Sequence, residues 1–373
     1  MAIKRLGIMT TGGDCAGLNA VIRAAVHRAV GGYGCEVVGI RRGTLGLLAD
    51  PPDVVRLTPD MFSGNVMRTS GTMIGTTSRG NPFEFPMPDG SRRDRSADVV
   101  TACRALGLDG LIAIGGDGSF RILGRIAEQH GLKLVGIPKT IDNDVVGTEN
   151  AIGYITAVNV ATEALDRLYS TAASHSRIMV LEVMGRDAGH IALSSGIAGG
   201  ADIILIPEIP YRLERLAERI LKLPDELGRS FALVVVAEGC KGEGGQPVTH
   251  AGKAGVLRYG GIGSWLADRL EQATGWETRF TILGHVQRGG VPSTTDRVLG
   301  ATFGVRAVDL AMAGEWGRVV VWQNRQVRDI PLADAMAQSR LVDTEGDLVR
   351  TARGIGISFG DEDTTHPDSV SPT

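Results

Sequence analysis

Uninterrupted apolar runs alternate along this chain with longer helix-like segments, and that alternation restricts the possible folds more than any other feature. The runs are Ile3–Met9, Glu36–Ile40, Gly110–Ile114, Lys133–Ile137, Arg177–Met184, Asp202–Ile206, Phe231–Ala237, Thr278–Leu283 and Arg318–Trp322. Several of them (LIAI, IILI, ALVVVA) are apolar at every position instead of every second one. A strand reads that way when both faces are buried, as in the interior of a parallel sheet. The helix-like segments between them are Leu18–Val30, Ser96–Leu106, Phe120–His130, Ile155–Ala173, Leu213–Lys222, Ile262–Gln272 and Thr295–Met312. Strand–helix–strand repetition predicts an α/β protein with mostly parallel sheets and right-handed crossovers. A length of 373 residues suggests two domains at a typical ~150 residues each, although no linker composition marks a boundary. Pro51–Arg95 shows no period and is expected to be a small insertion or a functional loop. The tail from Gly360, GDEDTTHPDSVSPT, is almost free of apolar residues and is expected to be disordered.

Composition sharpens this. Glycine makes up 52 of 373 residues, about 14% against an average near ~7%. With no G-x-y period and only 15 prolines, collagen-like and low-complexity chains are excluded. The glycines therefore serve turns, or let the backbone approach something closely. A net charge of -3 argues against a nucleic-acid or membrane-surface partner. No stretch approaches the ~18 apolar residues of a membrane span, and Asp14 interrupts the N-terminus too early for a signal peptide. Cys15, Cys35, Cys103 and Cys240 form no C-x-x-C pair, so neither a zinc site nor a disulfide framework is expected. The simplest reading is a cytoplasmic protein with reduced thiols.

Three turns follow three of the expected strands. The first, TTGGDCAGLNAVIR, carries Gly12, Gly13 and Asp14; the second, AIGGDGSFRIL, carries Gly115, Gly116, Asp117, Gly118 and Ser119; the third, GIPKTIDNDVVGTENAIGY, carries Lys139, Thr140, Ile141, Asp142, Asn143 and Asp144. Glycines before a helix N-terminus bring free N–H groups and a positive dipole end to a ligand, which makes a phosphate site. Open α/β sheets bind ligands at the carboxyl ends of their strands, where all three turns belong. An Asp within a phosphate-binding turn is repelled unless a cation mediates, so Asp117 points to Mg²⁺. Neither turn is a Walker A loop or a G-x-G-x-x-G fingerprint, and a lone GGDG is often only a strand-to-helix turn. Both turns with the acidic loop in one chain favour phosphoryl transfer, with a carboxylate of that loop as general base. Arg177, Arg186, Arg279 and Arg288, with Glu238 and His285, stand at the ends of other expected strands. Arginines so placed suit a second, anionic substrate.

The combination of TTGGDCAGLNAVIR, GGDGS, PKTIDND, EVMGR and LGHVQRGG closely resembles the phosphofructokinase family, over roughly Lys4 to Asp334. GGDG also occurs in NAD and lipid kinases, but PKTIDND with MGR and GHVQRGG does not. The resemblance implies an α/β fold of two Rossmann-like lobes with an active-site cleft between them. The donor (ATP/Mg) lobe would be 1–153 plus about 287–335 and the fructose 6-phosphate lobe about 154–286 plus 336–359, with 360–373 as a disordered tail. It implies a glycolytic kinase that transfers the γ-phosphoryl group of ATP to the 1-hydroxyl of D-fructose 6-phosphate. Asp142 resembles the general base, Thr140 the contact to the transferring phosphoryl group, and Arg186 the transition-state arginine. Gly13, Arg79, Gly116, Asp117, Gly118, Ser119 and Lys139 match donor-binding positions, with Asp117 as the Mg²⁺ carboxylate. Thr140, Ile141, Asp142, Arg177, Met184, Gly185, Arg186, Glu238, Arg279, His285, Val286, Gln287 and Arg288 match the acceptor site. In the family, the residues matching Arg177 and Arg279 come from a neighbouring subunit, which implies a homo-oligomer, dimer or tetramer, with shared active sites.

Departures from the family pattern bear on the donor. Ala16 replaces the proline of G-D-x-P-G, and Thr44 stands where many ATP-using members carry a Tyr. ATP-dependent members resemble GGDG, whereas diphosphate-dependent members carry Asp where Gly118 stands and Lys where Lys139 stands. This chain pairs Gly118 with Lys139. Gly118 leaves room for the α-phosphate of ATP, and Lys139 is a point charge useful to any polyphosphate. ATP is therefore the expected donor and diphosphate the alternative. A different GGDG kinase and a non-catalytic subunit stand further off, because Asp117, Asp142 and Arg186 are all present. Arg23, Arg28 and Arg219 are the candidates for an effector site.

Overall fold

A computed structural model describes residues 3–242, 245, 246, 248–251 and 257–361. The contact pattern divides the chain into two units: Met1–Ala157 with Arg288–Arg340, and Val158–Gln287 with the segment from Leu341 onward.

The first unit is built on a seven-stranded sheet. Its strands are β1 (Arg5–Thr10), β2 (Glu36–Ile40), β3 (Val54–Leu57), β4 (Gly110–Gly115), β5 (Leu134–Pro138), and two later ones, Arg318–Gln323 and Gln326–Pro331. The second unit carries a four-stranded sheet of β6 (Ile178–Val183), β7 (Ile203–Leu205), β8 (Ala232–Ala237) and β9 (Thr278–Ile282). With Arg318–Gln323 as β10 and Gln326–Pro331 as β11, the strand orders are β11-β10-β5-β4-β1-β2-β3 and β9-β6-β8-β7. Every pairing in the smaller sheet is parallel. In the larger sheet only the two outermost pairs, β2–β3 and β10–β11, are antiparallel.

The continuous apolar runs are the inner strands. β4, β5, β6 and β8 are buried at every residue. In the larger sheet, the two strands that the sequence did not announce, β3 and β11, are the antiparallel edges. They are only partly buried, and a half-covered edge needs no continuous apolar run. β3 lies inside the stretch that reads as irregular from Pro51 to Arg95.

The helices that cover the sheets are α1 (Leu18–Val26), α2 (Ser96–Ala105), α3 (Asp117–His130), α4 (Tyr154–His175), α5 (His190–Ala198), α6 (Leu213–Leu227), α7 (Ile262–Thr274) and α8 (Thr294–Ala313). The expected start of α3 moves from Phe120 back to Asp117, which puts Gly118 and Ser119 in its first turn. Phe120 then lies fully buried in a core shared with Met9, Ile40, Leu111, Leu134 and Val321. α6 runs through Pro224 and ends at the left-handed Gly228. In the expected tail, Gly360 N donates to Ser358 Oγ at 3.0 Å and Asp361 pairs with Arg353 at 2.7 Å, so those two residues are held in place. Residues 362–373 lie outside the described residues.

One buried carboxylate fixes how the acidic loop leaves the sheet. Asp296, with no solvent exposure, accepts from Gly153 N at 2.8 Å, Thr156 N at 2.8 Å, Thr156 Oγ1 at 2.5 Å and Ser293 Oγ at 3.0 Å. It therefore ties the start of α4 to the start of α8. Replacement by Ala leaves two buried backbone donors without acceptors, an expected loss of about 3 kcal/mol. Thermal unfolding of Asp296→Ala checks this, and an unchanged midpoint would refute the role.

Candidate active site

β5, β4 and β1 are parallel neighbours, so the segments leaving their carboxyl ends stand side by side. Thr11 N donates to Ile114 O at 2.9 Å, and Lys139 N to Gly115 O at 2.8 Å, which extends the pairing just past the strands. In the first turn Gly12 has φ 83° and donates to Thr77 O at 2.8 Å. A Cβ there would lie 3.1 Å from Lys139 Nζ, in a conformation that side chains rarely adopt. Lys139 is only 3% exposed and donates from Nζ to Gly13 O at 2.6 Å. Arg288 Nη1 donates to Asp14 O at 3.1 Å. Two cations thus reach the glycine turn from distant segments. Burial lowers the Lys139 ammonium below the usual lysine range. Arg288 adds to this lowering, and the carboxylates of Asp142 and Asp14 offset only part of it, so a polyphosphate would complete the compensation of the ammonium. Behind it Cys15 donates from Sγ to Ile152 O at 3.3 Å, and burial pushes its thiol up to about 12, so it stays neutral.

Asp117 opens α3. Its Oδ2 pairs with Arg121 at 2.9 Å and accepts from Ser339 Oγ at 3.0 Å. Its Oδ1 is buried with no hydrogen-bond partner among the described residues. An orphaned, buried carboxylate oxygen at the start of α3 suits a divalent cation, because Mg²⁺ is commonly held by one or two carboxylates, phosphate oxygens and water. A Cβ placed on Gly118 meets nothing within 4 Å, so the space beside this helical turn is open. Gly116 precedes the helix in extended conformation, and Ser119 Oγ lies 3.5 Å from Thr11 Oγ1.

In the third loop Thr140 N donates to Ile152 O at 3.2 Å, and Asp142 N to Thr140 Oγ1 at 3.1 Å. Asp142 is half-buried, while the Ile141 side chain is 1% exposed and turned into the core. Asn143, at φ 54°, donates from Nδ2 to Glu149 O at 2.9 Å and accepts from Ala151 N at 2.9 Å. This brace, like Asp296, escaped the reading of motifs. An Asn flanked by two Asp in a loop is the available signal, since Asn tolerates left-handed backbone. Arg79 is exposed, two residues beyond the Thr77 carbonyl that holds Gly12. Thr44 is buried and donates from Oγ1 to Gly80 O at 2.8 Å, so its hydroxyl is committed to the fold.

In the second unit, β6 and β8 place Met184–Arg186 beside Glu238. Met184 N donates to Gln287 Oε1 at 2.6 Å, and Arg186 N to Glu238 Oε1 at 3.1 Å. Gly185 has φ 149°, and a Cβ there would lie 2.5 Å from Ala188 O. Arg186 itself sits at φ 56°, uncommon for a residue with a side chain, and its guanidinium is largely exposed. His285 and Val286 are exposed in the turn Gly284–Arg288, whereas Gln287 is buried.

Arg177 and Arg279 do not join this group. They flank the opposite, amino-terminal ends of β6 and β9. Seven residues of extended chain separate Arg177 from Met184, about 23 Å at the strand rise of ~3.3 Å per residue. Of the effector candidates, Arg28 pairs with Asp309 at 2.6 Å in the first unit and Arg219 with Glu226 at 2.5 Å in the second. They belong to different units and each is neutralised locally, as helix-surface arginines often are.

A family model for phosphofructokinase matches residues 5–311. The chain is 56% identical over 360 residues to the ATP-dependent 6-phosphofructokinase 1 of Synechocystis sp., covering 96% of this chain and 99% of that protein. The chain belongs to the phosphofructokinase family. Among solved structures it is similar to phosphofructokinase from Pichia pastoris in the T-state, with TM-score 0.76 and 32% identity, covering 90% of this chain and 36% of that one. The fold is also shared with a pyrophosphate-dependent phosphofructokinase from Nitrosospira multiformis, with TM-score 0.78 and 21% identity, covering 98% and 95% of the two chains. The matched segment of the family model contains every candidate residue named above, from Gly13 to Arg288.

The buried ammonium of Lys139 yields a two-sided expectation. Lys139→Met replaces an undercompensated buried charge with an apolar chain of similar size, so the ligand-free protein should melt higher, by roughly 3 °C. The same variant should lose polyphosphate affinity about tenfold or more, as expected for a lost contact between charged groups. A lower melting point, or unchanged donor affinity by calorimetry, would contradict this account of the site.

Proposed function

We propose that this chain is an ATP-dependent 6-phosphofructokinase, which transfers the γ-phosphoryl group of ATP to the 1-hydroxyl of D-fructose 6-phosphate. The reading rests most on one arrangement: a buried, undercompensated ammonium and a carboxylate with one orphaned oxygen, both at the carboxyl ends of adjacent parallel strands. That pairing asks for a ligand that is polyanionic and metal-bound. Open space at Gly118 favours ATP over diphosphate, as does the 56% identity to a relative named for ATP.

The residues then divide the work. Gly13, Gly116, Gly118 and Ser119 offer backbone and hydroxyl donors to the phosphates, and Lys139 supplies a desolvated positive charge. Arg79 stands at the turn's edge as a further donor contact. Asp117 would hold Mg²⁺, which when bound neutralises the phosphates and orients them for in-line transfer. Asp142 accepts the proton of the sugar hydroxyl, and Thr140, whose hydroxyl accepts from Asp142 N, lines the path of the transferring group. Arg186 neutralises charge that develops on that group; its backbone is locked by Glu238, so the guanidinium starts from a fixed root. Met184, Gly185, Glu238, His285, Val286, Gln287 and Arg288 belong to acceptor recognition, with Ile141 contributing backbone only. In this reading the first unit carries the donor residues and the second unit most of the acceptor residues.

By strand rise Arg177 sits about 23 Å from Met184, and Arg279, in register with Met179, about 17 Å along the sheet; both distances exceed the reach of an arginine side chain. The two arginines cannot complete the same acceptor site from within one unit. Their use in acceptor binding therefore calls for a second copy of the chain, and we propose a homo-oligomer with shared sites. No helix among the described residues is long and apolar enough to cross a membrane. The four buried free thiols fit a reducing cytoplasm.

Removing the base tests the chemistry. Asp142→Asn should bind both substrates nearly normally while kcat falls about 10²–10⁴-fold; near-normal turnover would remove Asp142 from its role. ATP and diphosphate compared at equal concentrations test the donor, and faster turnover with diphosphate would reverse the assignment. Gly118→Asp should abolish use of ATP by placing a carboxylate against its phosphates.

A further inference from the structure

We propose that Glu277 is a positioning residue that assembles Arg177 and Arg279 into a single anion receptor. This inference rests on the acceptor reading above and adds a residue to it. Strand register creates the contact. Thr278 pairs with Ile178 in the parallel β9–β6 ladder, so the residues just before them, Glu277 and Arg177, face each other across the ladder. Ile178 N donates to Glu277 O at 3.0 Å, which fixes the backbone there. Glu277 and Arg279 are two apart on one strand and share a face. As a result one carboxylate holds both arginines. Arg177 Nε donates to Oε2 at 2.8 Å, and Arg279 Nη2 donates to Oε1. The Arg177 hydrogen bond, helped by the charges of Arg177, Arg279 and His175, keeps the Glu277 carboxyl below the usual range, so it stays ionised.

Two guanidiniums side by side repel, and each long side chain is costly to order when a ligand arrives. Glu277 removes both difficulties before binding. It engages one nitrogen of each arginine, and a guanidinium carries five N–H donors, so donors remain for a phosphate. Arg279 is further steadied by donation from Nη1 to Thr278 O at 3.0 Å, with Glu271 at 4.0 Å. The side chains of Arg177 and Arg279 are 25% and 54% exposed, so a dianion can reach them from solvent. Glu277 also lowers the local positive charge, but solvent screening limits that loss. Pre-assembly is the larger effect, and the receptor suits a phosphate monoester presented by a second copy of the chain.

The experiment compares Glu277→Gln, Glu277→Asp, Arg177→Ala and Arg279→Ala in steady-state kinetics with fructose 6-phosphate and ATP. Glu277→Gln should raise the KM for fructose 6-phosphate about tenfold, the scale of lost charge-assisted hydrogen bonds, with kcat and the KM for ATP within about twofold. Glu277→Asp, which keeps the charge, should recover most of that loss. In an Arg279→Ala background the Glu277→Gln effect should shrink. If either arginine variant raises this KM while Glu277→Gln leaves it unchanged or lowers it, the inference is overturned and the acceptor reading stands. If neither arginine variant moves it, the role of the two arginines falls, and that of Glu277 with it.

Discussion

Parallel, in-register pairing of β1, β4 and β5 is the constraint on which the proposed donor site depends. Parallel strands send all their carboxyl ends to one edge, and adjacent strands send them to adjacent points on that edge. The hydrogen bonds from Thr11 N to Ile114 O and from Lys139 N to Gly115 O carry the pairing beyond the strands into the turns. Two glycine turns and an acidic loop, spread over more than a hundred residues of chain, thereby stand side by side. The flat apolar interior of the sheet is what makes this placement rigid, because β4 and β5 have no exposed residue on which to slip.

Within each unit, unfavourable features stand just past the carboxyl ends of strands. Lys139 carries a cation in a dry environment. Asp117 keeps a buried oxygen without a partner. Arg186 adopts a left-handed backbone although it has a side chain. Each is costly in a protein that has only to fold, and each has a use in the proposed site. The compensating order comes from buried polar braces. Asp296 and Asn143 tie the acidic loop to two helices and to itself, and Gln287 and Glu238 hold the backbone of Met184 and Arg186.

Much of this was legible in the residues. Continuous apolar runs marked the inner strands, since only burial on both faces demands them. β3 and β11 were missed for the same reason, because an edge strand covered on part of its surface carries a mixed pattern. The start of α3 was placed late, because Gly118 and Ser119 read as turn residues when isolated from the extended Gly116 that precedes the helix. The motifs supplied the candidate residues, and the family match accounts for why so many stand at strand ends. Asp296 gave no signal of its own, since a lone Asp before Arg297 looks like any surface residue until its four donors surround it.

The order of short-range patterns along the chain determined that this protein is α/β, that its sheets are mostly parallel, and that glycine turns follow its strands. Those properties depend on neighbours a few residues apart. Which charged groups meet was decided only by tertiary structure. Lys139 against Gly13, Arg288 against Asp14 and Glu277 between two arginines are contacts of strand order and register. Lateral pairing of distant strands leaves no periodic trace in a single sequence. The same geometry sets Arg177 and Met184 at opposite ends of one strand, a separation that sequence spacing alone does not show as a direction in space.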